Sequence, residues 1–207
     1  MKKTSKKKKS PVSAKVFPYK VTFDALDKYS GDENKNLRDL LEELHFMSKE
    51  SPRRAIRKLR TAISQYPNVP EFYNYLYIAA RLAYGEIESF KVTLKALEKF
   101  PDYFFAKMGL AEHFLDTGEL EKIPEIFDNK FDIKQLLPGR EVFHISEVQA
   151  FLAILIQYYA KSDNFGAADK YFSQLESVNP ESPFLDELEE MIFESRLEAK
   201  VMNILWK

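Results

Sequence analysis

The chain has 207 residues, 45% of them hydrophobic and 30% charged, with 17 Phe and 11 Tyr but only 6 Gly and no Cys. That balance suits packed helices better than a turn-rich β sandwich, and the lack of Cys excludes disulfides, thiolate metal centres and thiol nucleophiles, in keeping with a cytoplasmic location. The formal net charge of -1 hides an asymmetry, because the first 20 residues carry eight Lys and no acid.

Residues 1–20 form a basic segment too poor in apolar side chains to offset its ordering entropy, so a largely disordered tail is expected. Lys2, Lys3, Lys6, Lys7, Lys8 and Lys9 are its candidate contacts for nucleic acid or anionic lipid, though a solvated tail without a specific ligand fits the same composition better. No apolar stretch follows them as in an export signal, and the longest apolar run, Ala150 to Ile156, is far too short to span a membrane.

Residues 21–36 read as a linker or short helix. From residue 37 the pattern turns helical, with Leu37, Leu40, Leu41, Leu44 and Met47 on one face, followed by a second helix that ends at Tyr66-Pro67. The next apolar-periodic segment ends at Phe100-Pro101, 34 residues later, and Asn179-Pro180 closes a third. Twelve residues before each proline stands a small residue, Ala55, Ser89 or Ala168; five before stand Ala62, Ala96 and Leu175. Small residues on one face let a second helix approach closely, with Leu59 and Phe172 filling the space beside them and Thr93 filling it less well. The preceding segments repeat a pattern of their own, Tyr73-Leu76-Tyr77-Ala80, then Leu110-Ala111-Phe114, then Leu152-Leu155-Ile156-Tyr159, which puts one apolar stripe on each first helix.

These residues resemble the tetratricopeptide repeat (TPR) family. Its first-helix motif is matched best at Lys107-x2-Leu110-Ala111-x2-Phe114, with Lys107 where a large apolar residue is usual, and its second-helix motif from Ala168 to Pro180. Tyr77 and Ile156 replace small residues, so looser or shifted pairs are expected there. The resemblance implies an all-α fold of antiparallel hairpins stacked as a superhelix over residues 37–180, and a protein-interaction scaffold. An insertion is expected at about 129–146, because Leu110 and Leu155 are eleven residues further apart than one period. It contains the turn signal Pro138-Gly139, and Pro124 should delay or bend the helix before it. Ser146, with Gln149 three residues on, reads as a capping box restarting the helix. Residues 181–207 read as a C-terminal capping helix with Ser182 as cap and Pro183 at its first position.

No phosphate loop, nucleotide-binding glycine turn, hydrolase elbow or zinc-protease helix occurs, so no catalytic residue, metal site or cofactor is assigned. His45, His113 and His144 are spread over three units, and a site at His144 and Glu147 would lack ligands. Glu189-Glu190 reads as solvent-facing. A superhelix of this kind offers a concave face lined by the first helices, where the stripe beside the buried one presents Asn74, Ile78, Arg81, Met108, Glu112, Leu115, Gln157 and Lys161 to a peptide or helix of a partner protein. Ile78, Met108 and Leu115 fit packing between units equally well. Glu112 disfavours the chaperone-tail carboxylate clamp known in the family, since it would repel that ligand. The alternative reading is a nucleic-acid- or ribosome-associated protein acting through the Lys tail.

Overall fold

The computed structural model describes residues 18–24, 28, 29 and 31–205, so the six tail lysines lie outside the described residues. Its helices are α1 (Lys35–Glu50), α2 (Pro52–Gln65), α3 (Glu71–Tyr84), α4 (Glu86–Lys99), α5 (Phe104–Thr117), α6 (Ile123–Ile126), α7 (Ile133–Leu136), α8 (Ile145–Lys161), α9 (Phe165–Val178) and α10 (Leu185–Leu205), with two short strands, β1 (Lys20–Thr22) and β2 (Val142–His144). The fold is all-α and TPR-like. Helices α1 and α2, α3 and α4, and α8 and α9 form hairpins, and α2 and α4 also pack on the first helix that follows them. The first helices α1, α3, α5 and α8 touch one another in that order as one layer, and α10 covers α8 and α9.

The small-residue pattern accounts for this stacking. Ala55, Ala62, Ser89, Ala96, Ala168 and Leu175 are all buried, as is Leu59. Thr93, a poor filler by size, is buried because α5 closes in on it: a Cβ on Gly109 would lie 2.7 Å from Thr93 Oγ1 and 3.2 Å from Tyr77 Cε2. Ile156 is completely enclosed, so the large residue there leaves no looseness. Apolar packing nevertheless divides into two bodies. One is built from α1, α2 and α3 around Leu44, Leu59 and Phe72; the other runs from α5 to α10 around Phe127, Phe143 and Leu155. Between them α4 contributes Ser89, Thr93 and Ala96, which bring little apolar bulk to the seam.

The segment from 123 to 144 departs most from a regular hairpin. Pro124 occupies the start of α6, which lasts one turn and stops where Asp128 (φ 51°) and Asn129 (φ 58°) enter the left-handed region. Phe127 stays fully buried, so the third unit keeps its core residue while losing most of its second helix. Asp132 Oδ1 then accepts from Lys134 N at 2.8 Å and caps α7. After the turn at Gly139 (φ 85°), β2 pairs in parallel with β1, Val21 opposite Phe143. Lys20, assigned to the tail from sequence, is therefore part of a strand. Tyr19 meets the Phe143 ring edge-on at 5.0 Å, and burial, helped by Asp132, pushes its phenol up to about 12.

Two helix starts differ from expectation. The box that opens α8 is His144 with Glu147, not Ser146 with Gln149: Ser146 N donates to His144 Nδ1 at 3.2 Å and His144 N donates to Glu147 Oε2 at 2.9 Å. Gln149 is buried and donates to Ser182 Oγ at 2.7 Å. Ser182 also accepts from Phe184 N at 3.4 Å, and α10 begins at Leu185, two residues beyond Pro183.

Candidate functional site

The layer of first helices holds the predicted groove residues, but it does not present them alike. Met108 (5% exposed) and Leu115 (1%) belong to the C-terminal core together with Phe151 and Leu155 of α8, so they are packing residues and offer no binding surface. The physical reason is the position of α5, which is covered by α4 on one side and by α8 on another, leaving a narrower free face than a simple amphipathic helix has. Asn74, Ile78, Arg81, Glu112 and Gln157 are half-buried and Lys161 is exposed, which leaves six of the eight on or near the surface.

Two of these, Arg81 and Glu112, form one polar network with Tyr77 and Asp116 across the α3–α5 contact. Arg81 Nη2 bonds Asp116 Oδ2 at 2.7 Å and lies 3.3 Å from Glu112 Oε1, while Tyr77 Oη donates to the other Glu112 oxygen. Burial works against the Arg81 charge, but the bond to Asp116 and the fields of Glu112 and Asp116 outweigh it and raise its pKa. Burial, then the neighbouring Glu112 charge and bond, pushes the Tyr77 phenol well above its ordinary range. Two carboxylates thus face one guanidinium. The surface here is mildly acidic, and its Arg is already engaged.

A second cluster, absent from the sequence reading, lies along the same layer. Tyr29, just before α1, donates from its hydroxyl to Glu71 Oε2 at 2.8 Å, Lys28 Nζ bonds Glu71 Oε1 at 2.8 Å, and Arg38 Nη1 holds the Tyr29 carbonyl at 2.6 Å. Tyr75 packs edge-on against His45 at 5.1 Å, and burial followed by the Glu71 charge pushes Tyr75 up to about 12. The phenol of Tyr103 is raised well above its usual value by burial first, and then by the charges of Glu71, Tyr75, Tyr29 and Glu147. The pKa of His45 is lowered by burial first, and then by the charges of Lys49 and His144. The sequence carried no signal for this cluster, because Tyr29 and Glu71 lie 42 residues apart and follow no repeat period.

His113, the third histidine, stacks on Phe90 at 3.5 Å and bonds Glu86, which ties α5 to α4. Glu147 is held by Arg140 through two 2.8 Å bonds. No group of three His, Asp or Glu placed to hold a metal exists among the described residues. None of their helices is long and apolar enough to cross a membrane.

No protein-family model matches the chain, and no curated protein matches it. Among solved structures it is similar to one described as "MamA RS-1 ArsTM double mutant", at 14% identity and a TM-score of 0.46, over 86% of this chain and 98% of that one. A superposition that loose carries no inference about this chain. The helix packing itself is that of an all-α, TPR-like stack of antiparallel hairpins.

Proposed function

We propose that this protein is a non-catalytic interaction scaffold whose layer of first helices docks a peptide or helix of a partner protein. One observation carries the reading. Four helices from four units lie side by side and leave Asn74, Ile78, Arg81, Glu112 and Gln157 half-exposed on connected elements, with the charged members already fixed by bonds to each other and to Asp116. Side chains held in this way bind without losing much further rotamer freedom. The acidic balance around Arg81 favours a ligand of mixed or basic charge and disfavours a terminal carboxylate. Cytoplasmic residence agrees with the Cys-free composition.

Affinity capture with the parent and with an N74A/R81A/E112A/Q157A variant tests the assignment, with thermal melting as the control for folding. The reading predicts partner proteins that the parent retains and the folded variant loses. An identical set of retained proteins would refute it. Replacing the six tail lysines in parallel addresses the nucleic-acid alternative, because loss of ligand by that variant alone would move the function to the tail.

A further inference from the structure

The outer face of α2 is charged in a way that helix stability does not favour. Residues 51–70 contain Arg53, Arg54, Arg57, Lys58 and Arg60 and no acid at all, although the chain as a whole has 32 acids against 31 bases. All five cations are exposed. Lys58 pairs with Glu43 of α1, whereas Arg53, Arg54, Arg57 and Arg60 form no ion pair among the described residues. Ala55, Ile56, Leu59 and Ala62 face the core, which turns Arg53, Arg57 and Arg60 outward as one stripe at spacings of four and three. Like charges at those spacings repel, and Arg53 and Arg54 stand in the first turn, where the helix dipole is already positive. Every other long helix in the stack contains at least one acid, whereas α2 contains none.

We infer that this stripe is a contact surface for the sugar-phosphate backbone of a nucleic acid, distinct from the first-helix layer and independent of its assignment. Arg53 and Arg60 are about 10 Å apart along the helix axis, a length that spans about three successive phosphates of a strand. Four of the five cations are arginines, whose planar donors match phosphate oxygens two at a time. Partners of other chemistry fit less well. The apolar face of α2 is locked in its hairpin and is not available to enter a lipid surface. The exposed stripe itself holds no aromatic or aliphatic side chain to anchor an acidic protein, and charged residues are scarce at the centre of protein interfaces. With no ring in the stripe to stack on a base, it contacts the backbone without reading sequence.

The test is fluorescence anisotropy of a labelled mixed-sequence oligonucleotide, single-stranded and duplex, titrated with the full chain over a range of salt concentrations. R53Q/R57Q/R60Q should weaken binding and lower the slope of log affinity against log salt by about 2 to 3, while neutralising the six tail lysines leaves that contribution in place. R53K/R57K/R60K should keep the salt slope and lose affinity, because the paired donors are gone. Since the arginines oppose their own helix, the Gln variant should melt at or above the parent temperature. No binding by the parent at low salt, an unchanged slope in the Gln variant, or a Gln variant that melts lower would overturn the inference. Tighter binding to phosphatidylserine vesicles or to polyglutamate than to the oligonucleotide would overturn it in favour of a membrane or an acidic protein.

Discussion

Replacing Gly109 by Ala probes the seam between the two apolar bodies. Gly109 lies inside α5, so Ala alone would be favoured by about 0.8 to 1 kcal/mol of helix propensity. Against this, the new Cβ would lie 2.7 Å from Thr93 Oγ1 and 3.2 Å from Tyr77 Cε2. Thr93 is buried, and Tyr77 is bonded to Glu112, so neither side chain yields freely. Overpacking of one methyl group in a closed interior costs about 1 to 3 kcal/mol. The balance is a loss of up to about 2 kcal/mol, or a fall in melting temperature of up to about 4 to 8 °C in a chain of this size. Thr93→Ala removes the hydroxyl and methyl that the new Cβ meets, so G109A/T93A should be less destabilised than the sum of the single changes by about 1 kcal/mol. Circular dichroism melts of the four proteins in the cycle measure this. A G109A protein that gains the full propensity term, or a cycle that is strictly additive, would show that α4 and α5 are not in close contact at this point.

Phe143→Ala should cost about 3 to 5 kcal/mol, because a fully buried ring is removed; it should also expose the segment around Tyr19 to limited proteolysis, since that ring rests on Phe143. Arg140→Ala removes both 2.8 Å bonds to the nearly buried Glu147 and the guanidinium over the Phe143 ring, and should lower stability by about 1.5 to 3 kcal/mol in urea unfolding. Alkaline pH supplies a third check. Burial raises the phenols of Tyr19, Tyr75 and Tyr171 from 10.0 to about 12, so the unfolded chain loses these protons first; their contribution is complete below pH 10 and disappears as pH rises through about 12. Melting temperature should fall across that window, less steeply in a Tyr75→Phe variant, and a flat profile would contradict the burial of these rings.

The repeat was legible because helix packing writes itself at a fixed interval. Ala55, Ser89 and Ala168 had to be small wherever another helix crossed, and the prolines marked where each pair ended. The strand pair was not legible. Lys20–Thr22 and Val142–His144 are three residues each, too short for alternation to register, and they meet only because the fold brings them together. The α8 cap was misplaced because a Ser is the commoner cap, although Glu147 three residues after His144 was the signal for the correct one. For the groove, a helical wheel locates the face next to the buried stripe but not how many neighbours a helix has. Asn74 and Gln157 kept some exposure, while α8 covers Met108 and Leu115 of α5.

Site-specific photo-crosslinking tests the scaffold reading most directly. A photoreactive amino acid placed at Asn74 or Gln157 on the first-helix layer is compared with one at Lys95 of α4 or Ser173 of α9, both exposed on second helices. Docking along the first helices predicts protein adducts from positions 74 and 157 and few from 95 and 173. Adducts confined to the second-helix positions would contradict it.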